Sequence, residues 1–272
     1  MTDLATQPFW LIAICFISFG ILVALGSFIS SRKLFPEGVI AENGVKPATL
    51  VGTVIGSLFA LLLALILVTV WQNYEKQKER TIMEAVALAN LYRSSNGLNS
   101  DQSQAIKQLT INYTRNLIEF SWDSMEKGHE SKVTFNSFQK LYSFIINYVP
   151  SSQKEEIIYR EMIDHLNELA NYRRLRLITV KQNNIPITLW FIIISVGIVS
   201  VCYTNFFYIG NKYTQATVIS LHASIIAVIL MLVFLLNHPY RGTTKIKPTS
   251  FKHLLENVYP ASEQKTISNI EL

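Results

Sequence analysis

Charge is scarce in this chain, and its scarcity is local. Only 16% of the 272 residues are Asp, Glu, Lys or Arg, whereas soluble domains usually carry about 25%. Four runs contain none of these residues: 4–31, 47–74, 182–211 and 213–240. Each is longer than the roughly 20 residues that cross a hydrocarbon core as a helix. The composition excludes a purely soluble enzyme and a disordered tail, and predicts an integral membrane protein with four spans.

Cysteine is also scarce, and the common enzyme motifs are missing. The two cysteines, Cys15 and Cys202, lie in apolar runs with no partner at metal-ligand or redox spacing. A disulfide scaffold is therefore excluded, and we expect no metal site. The sequence contains no phosphate-binding glycine motif, no His-Glu-x-x-His and no Gly-x-Ser-x-Gly. We expect no enzyme activity and no cofactor.

The charged residues that are present concentrate in one segment. Residues 75–181 hold 15 basic and 13 acidic residues, a balance that argues against nucleic-acid binding. The predicted organisation is a first transmembrane hairpin (1–74, spans about 9–30 and 48–72) and a helical cytoplasmic domain (75–181). A second hairpin (182–240, spans about 186–208 and 214–237) and a tail (241–272) follow.

The distribution of basic residues predicts the orientation. The run from Phe9 to Ile29 is too long for a signal peptide and has no basic residue before it, so it should remain as the first span. Eleven basic residues flank the spans on the side of the central segment and tail, against four on the other side. This count favours a multi-pass protein of the cytoplasmic (inner) membrane with both termini cytoplasmic, although Arg32 and Lys33 oppose it.

Local patterns predict helices throughout. The second span continues without Gly or Pro into a single helix from about Ala48 to Arg93. Beyond the membrane its expected apolar stripe is Ile82, Ala85, Val86, Ala89 and Tyr92. Asp101 is expected to cap a helix with a stripe reaching Phe120, and Ser152 and Glu155 fit a capping box. The last of these helices should approach the third span and bend at Pro186. The predicted fold class is all-α.

The second span carries a ridge of small residues. Gly52, Gly56, Ala60 and Ala64 recur every four residues, which permits close helix packing in lipid. The ridge serves either packing within one subunit or a central pathway or subunit interface. For the second interpretation, the pathway candidates are Thr49, Gly52, Thr53, Gly56, Phe59 and Leu63, with Phe59 and Leu63 as an apolar constriction.

Two further features carry titratable or basic groups. His222 lies inside the fourth span, where it is either a proton-sensitive functional group or a neutral imidazole bonded to a neighbouring helix, with Asn205 as a candidate partner. Arg173, Arg174 and Arg176 precede the third span. They are expected to anchor the chain to the cytoplasmic side, to hold lipid headgroups, or to attract anions to a pore mouth. Glu84 borders the apolar stripe of the long helix.

The sequence around several of these residues resembles that of the bestrophin-like domain family. The resemblance lies in three segments: Gly56 through Ala64 to Trp71 and Tyr74, then Glu84 to Arg93, and the arginine cluster leading to Pro186 and Trp190. The tail from His238 to Gly242, with Pro248 and Phe251, agrees as well.

Similarity to bestrophins proper implies a homopentameric anion channel with a pore lined by the second span. It also implies mouth residues at Arg93 and Arg173. The tail lacks the acidic cluster of the animal calcium clasp, so calcium gating is not implied.

Three functions fit the sequence. The first is an oligomeric channel for small inorganic ions, anions before cations, embedded in the lipid bilayer. The second is a non-conducting membrane scaffold or sensor that recruits a partner through its cytoplasmic helices. The third is a proton-coupled carrier that uses His222, which the absence of repeated halves disfavours.

Overall fold

The computed structural model describes residues 9–34, 45–181, 185–204 and 212–259. Its helices are α1 (Phe9–Leu34), α2 (Val45–Ser94), α3 (Ser100–Asn116), α4 (Trp122–Glu126), α5 (Lys132–Ile146), α6 (Gln153–Lys181), α7 (Ile187–Tyr203), α8 (Lys212–Leu236) and α9 (Thr249–His253). π-Helical turns occupy Leu117–Ser121 and Leu254–Val258. No strand occurs within the described ranges, and the predicted all-α class is confirmed.

The helices form two compact units. We call the first the apolar unit; it contains the described parts of 1–74 and 183–238. The second, the polar unit, contains the described parts of 75–182 and 239–272. Two helical stretches of the described chain, Thr49–Gly97 and Tyr213–Leu236, are long and apolar enough to cross a membrane. The apolar stretches in α1 (Trp10–Gly26) and α7 (Ile187–Tyr203) are shorter.

In the apolar unit, α1 packs along α8. A Cβ atom on Gly20 would lie 3.1 Å from the Cβ of Ala227 and 3.2 Å from the carbonyl oxygen of Ala223, so a side chain here would crowd α8 at this close approach. At the end of α8, Asn237 accepts a hydrogen bond of 3.1 Å from the backbone N–H of Ile185. The described core between the helices is mainly apolar, with Ile193, Ile219 and Val233 almost fully buried.

In the polar unit, α2 continues as the predicted long helix, but its buried face differs from the predicted stripe. Ala85, Ala89 and Tyr92 are buried as expected, whereas Ile82 and Val86 are 42% and 44% exposed. The most deeply buried positions of this face include a carboxylate, Glu84 (0% exposed). The helix is turned so that this carboxylate meets its partner on α6, described below.

A similar correction applies to α3. The predicted cap Asp101 lies in the first turn, and Asn99 instead caps the helix by accepting a hydrogen bond of 3.0 Å from the Gln102 N–H. After α3 the π-helical turn at Leu117–Ser121 inserts one extra residue into the helical turn. The buried face therefore moves on to Trp122 and Met125, and Phe120 is 39% exposed.

The start of α6 follows the predicted capping box. Ser152 accepts a hydrogen bond from the Glu155 N–H at 3.2 Å, and Glu155 accepts one from the Ser151 N–H at 2.9 Å. The predicted bend at Pro186 is wrong, because α6 ends at Lys181 and α7 begins as a separate helix at Ile187.

Candidate functional site

The pathway candidates of α2 divide between two faces of the helix. Phe59 and Leu63 are 5% and 4% exposed and belong to the core of the apolar unit. The ring of Phe59 lies 3.4 Å from the position that a Cβ on Gly197 would take. Phe59 and Leu63 therefore lie on the face of α2 that packs against helices of the same subunit, and their role as a pore constriction stays a prediction.

The hydroxyl and small residues lie on the other side of the same helix. Thr49, Thr53 and Ser57 are exposed in the single chain, as are Ala60 and Ala64. A Cβ on Gly56 would meet no atom within 4 Å. The Thr53 hydroxyl donates to the carbonyl oxygen of Thr49 at 2.9 Å, which keeps its proton within the helix and leaves a small polar surface.

Gly52 belongs to the packed side. A Cβ at this position would lie 2.5 Å from the ring of Tyr203, so glycine is what allows α7 to approach α2. Gly52 therefore faces the Tyr203 ring of the same subunit, and its place along a pathway stays a prediction. The sequence offered no sign of this contact, because Tyr203 lies more than a hundred residues away along the chain.

Two of the candidate arginines are inside the polar unit. Arg176 is 1% exposed and Arg173 is 8% exposed. Arg173 pairs with Glu130, and its guanidinium lies 4.3 Å from the centre of the Phe138 ring. Both side chains are enclosed by the unit, and the expectation that they hold lipid headgroups or line a pore mouth stays a prediction. Arg93 and Arg174 are exposed and stay candidates.

The partner of Arg176 is Glu84. The guanidinium Nε donates to Glu84 Oε2 at 2.6 Å and Nη2 donates to Oε1 at 2.9 Å, a two-pronged ion pair between α6 and α2. Nη1 donates to the Ser121 hydroxyl at 3.2 Å, and the Tyr113 hydroxyl donates to Glu84 Oε1 at 3.3 Å. The guanidinium carbon lies 5.4 Å from the centre of the Trp122 ring. The position of Glu84 beside an apolar stripe was the only sequence signal for this cluster.

The electrostatics of the cluster keep the Arg176 guanidinium charged and the Tyr113 phenol neutral. Burial opposes the charge on Arg176, but the charge and hydrogen bonds of Glu84 outweigh it and raise the pKa of the guanidinium above its usual value. Burial, and then the adjacent Glu84, raise the pKa of the Tyr113 phenol well above its usual value. Tyr113 is therefore a neutral donor throughout the physiological pH range.

The C-terminal segment of the polar unit joins the same face of α2. The Thr81 hydroxyl donates to the carbonyl oxygen of Gln77, so the Tyr240 hydroxyl, 3.1 Å away, donates to Thr81. Further along, the Trp122 indole N–H donates to the carbonyl oxygen of Ile246 at 2.6 Å. These bonds fix the segment after α8 against α2 and α4.

His222 lies between α7 and α8 in the apolar unit. Its Nδ1 is 3.5 Å from the Thr204 hydroxyl and its Nε2 is 3.5 Å from the Ser200 hydroxyl. Thr204 donates to the carbonyl oxygen of Val201 at 2.5 Å, so it accepts from the imidazole. His222 is therefore bonded to the neighbouring helix α7 through Nδ1–H. Asn205, the partner suggested by the sequence, lies outside the described residues.

With this geometry in place, the relationship to known proteins is clear. The sequence profile of the Bestrophin-like domain matches residues 19–251, and the chain belongs to this family. The resemblance drawn from the sequence is confirmed. A search of curated protein sequences gives no significant match.

Solved structures share the fold. A variant of a bacterial bestrophin homologue from Klebsiella pneumoniae aligns with a TM-score of 0.66 and 15% identity over 90% of this chain and 97% of that one. Another variant from the same organism gives 0.68 and 15%, over 93% and 98%. A structure described as a membrane protein gives 0.65 and 14%, over 89% and 95%. At these identities the likeness establishes the fold.

Proposed function

We propose that the chain is one subunit of an oligomeric channel of the cytoplasmic membrane that conducts small inorganic ions passively, anions in preference to cations. Membership of the Bestrophin-like domain family supports a channel, and its resemblance to bestrophins is the source of the anion preference and of a pentameric assembly. The four apolar helices α1, α2, α7 and α8 serve as the spans, and the polar unit lies in the cytoplasm with both termini.

The observation that carries this proposal is the exposed small-residue face of α2. Among the described residues, the cluster of side chains between the helices of one subunit is mainly apolar and does not favour a hydrated ion. The face with Thr53, Ser57, Ala60 and Ala64 is exposed in the single chain and has hydroxyl groups at its edge. Copies of α2 gathered around an axis with this face inward would enclose a narrow, partly polar pathway.

Cysteine labelling during ion flux tests this arrangement. Cys15 and Cys202 are exposed and are first replaced by serine, and Ser57→Cys is then introduced. In liposomes containing the protein, a negatively charged methanethiosulfonate reagent should reduce anion flux through Ser57→Cys by severalfold. Leu58→Cys is the matched control, because Leu58 is 63% exposed but points about 100° away around the helix.

The outcomes separate the three functions. Equal sensitivity of the two cysteine variants would show that the small-residue face does not line the route. Flux at the level of empty liposomes, from folded oligomeric protein, would favour the scaffold or sensor. A proton-dependent flux abolished by His222→Gln would favour the carrier.

A further inference from the structure

A groove in the polar unit has no part in the proposed conduction. It lies between the first half of α3 and the second half of α5 and has a volume of about 750 Å³. Sites for small organic molecules usually fall between about 300 and 1,000 Å³. All of its lining residues belong to 99–151, so the groove is complete within this unit.

The closed end of the groove is built on a buried carboxylate. Glu155, 8% exposed, accepts hydrogen bonds from the Tyr148 hydroxyl at 2.7 Å, the Ser151 hydroxyl at 2.7 Å and the Ser151 N–H at 2.9 Å. Tyr148 and Ser151 both line the groove. One carboxylate therefore fixes the loop that closes the groove, and the wall is formed before a ligand arrives.

The hydrogen bonds of Glu155 also determine which charges the groove offers. The backbone and side-chain bonds from Ser151 and the bond from Tyr148 lower the pKa of this carboxyl, which is therefore ionised and already bonded at neutral pH. Burial and these bonds raise the pKa of Tyr148 to about 12, so its phenol is neutral. Of the described residues that line the groove, Lys140 is the one that carries a charge.

The remaining lining residues have complementary chemistry. Leu109 and Phe144 provide an apolar and aromatic surface, while Gln102 and Asn147 provide amide groups. An apolar surface with a few polar groups and one ammonium suits a small molecule with an apolar body and a single negative charge. We propose that this groove binds a small organic carboxylate, with its apolar body against Leu109 and Phe144 and its carboxylate at Lys140.

Isothermal titration calorimetry on the full-length protein in nanodiscs tests the proposal. The probe is 3-phenylpropionate, and titration into empty nanodiscs is subtracted to remove partitioning into lipid. Binding should saturate, and 3-phenylpropionamide, which has the same shape without the charge, should bind about tenfold more weakly because it loses a charge-assisted hydrogen bond.

Variants of the lining residues then test whether the probe binds in the groove. Lys140→Gln should weaken 3-phenylpropionate binding about tenfold, by the same loss of a charge-assisted bond. Lys132→Gln is the matched control, since Lys132 is an exposed lysine at the start of the same helix and does not line the groove. Phe144→Ala should weaken both probes.

Three results would overturn the assignment: no saturable heat above empty nanodiscs, equal binding of the acid and its amide, or equal binding by Lys140→Gln and the unaltered protein. Melting temperatures of the variants establish that each is folded. None of the measurements depends on ion conduction, so their outcome is independent of the channel proposal.

Discussion

At the scale of single residues, Glu84 and Arg176 form a buried ion pair in the polar unit. Both side chains are almost fully enclosed, at 0% and 1% exposure. Taking one partner from such a pair leaves a buried charge with no counter-ion, at a cost of about 3–5 kcal/mol. Replacing both with apolar residues removes that penalty.

We therefore expect Arg176→Met to lower the melting temperature strongly and the double variant Glu84→Leu/Arg176→Met to recover much of the loss. Tryptophan fluorescence is a suitable readout, because Trp122 contacts the guanidinium. The control is Arg174→Met, an exposed neighbour on the same helix. If the double variant were as unstable as the sum of the two single variants, the two charges would not be coupled.

Phe59 supplies a second prediction at this scale. Because the side chain is buried in its own subunit, Phe59→Ala should destabilise the apolar unit by on the order of 1–3 kcal/mol, chiefly through lost packing contacts. Leu58→Ala, at an exposed position, should leave the melting temperature almost unchanged. A rise in flux with no loss of stability in Phe59→Ala would instead support Phe59 as a pore constriction.

The residue scale also shows where sequence patterns stop being informative. Phe59 and Ser57 lie on one apolar helix, and periodicity cannot tell which side meets the subunit core and which meets another copy. Glu84 was noticeable as an acid beside apolar residues, but its partner lies 92 positions away, beyond any local pattern. Contacts of this kind arise from tertiary packing alone.

At the scale of elements, local signals succeed where local physics decides. The long α2 was predictable because the sequence between Ala48 and Arg93 contains few helix breakers. The cap of α6 was predictable because Ser152 and Glu155 stand at the required spacing. The π-helical turn after α3 was not, because no local pattern in the sequence marks the extra residue of Leu117–Ser121.

The cap of α6 gives a prediction about pH. Hydrogen bonds from Ser151 and Tyr148 hold the pKa of Glu155 below its usual value of 4.5 in the folded protein, so ionised Glu155 stabilises the fold above that pH. This contribution disappears as the pH falls through the lowered pKa. The difference in melting temperature between the unaltered protein and Glu155→Gln should therefore be largest near pH 7 and shrink below about pH 4.5.

A neighbouring carboxylate provides the control for this experiment. Glu156 is exposed and pairs with Arg160 at 2.6 Å on the surface of α6. Exposed pairs of this type contribute little to stability, so Glu156→Gln should show a small difference at every pH. A Glu155→Gln difference that stayed constant with pH would mean that the ionised carboxylate is not what stabilises the cap.

At the scale of the whole molecule, the open face of α2 predicts association. Gly56 has space for a side chain in the single chain, so Gly56→Leu should leave the fold of the subunit intact. If this face meets other copies, the larger side chain should dissociate the oligomer. Mass measurement in detergent should give a multiple of the 30.9 kDa chain for the unaltered protein and a smaller assembly for the variant.

Gly20→Leu is the matched control for Gly56→Leu. Its position is filled by α8 of the same subunit, so Gly20→Leu should unfold the apolar unit rather than separate copies. An unaltered oligomer in Gly56→Leu would show that copies meet through another surface, and an unaltered chain that is monomeric would remove the basis for a shared pore.

The pairing of Glu84 with Arg176 has a consequence for biosynthesis. Ribosomes add about 5–20 residues per second, so the 92 positions between the two charges take on the order of 5–20 s to synthesise. During that interval the carboxylate has left the ribosome and its counter-ion does not yet exist. The helices of the polar unit cannot complete this pair while the nascent chain grows, and during this period chaperones and proteases have access to them.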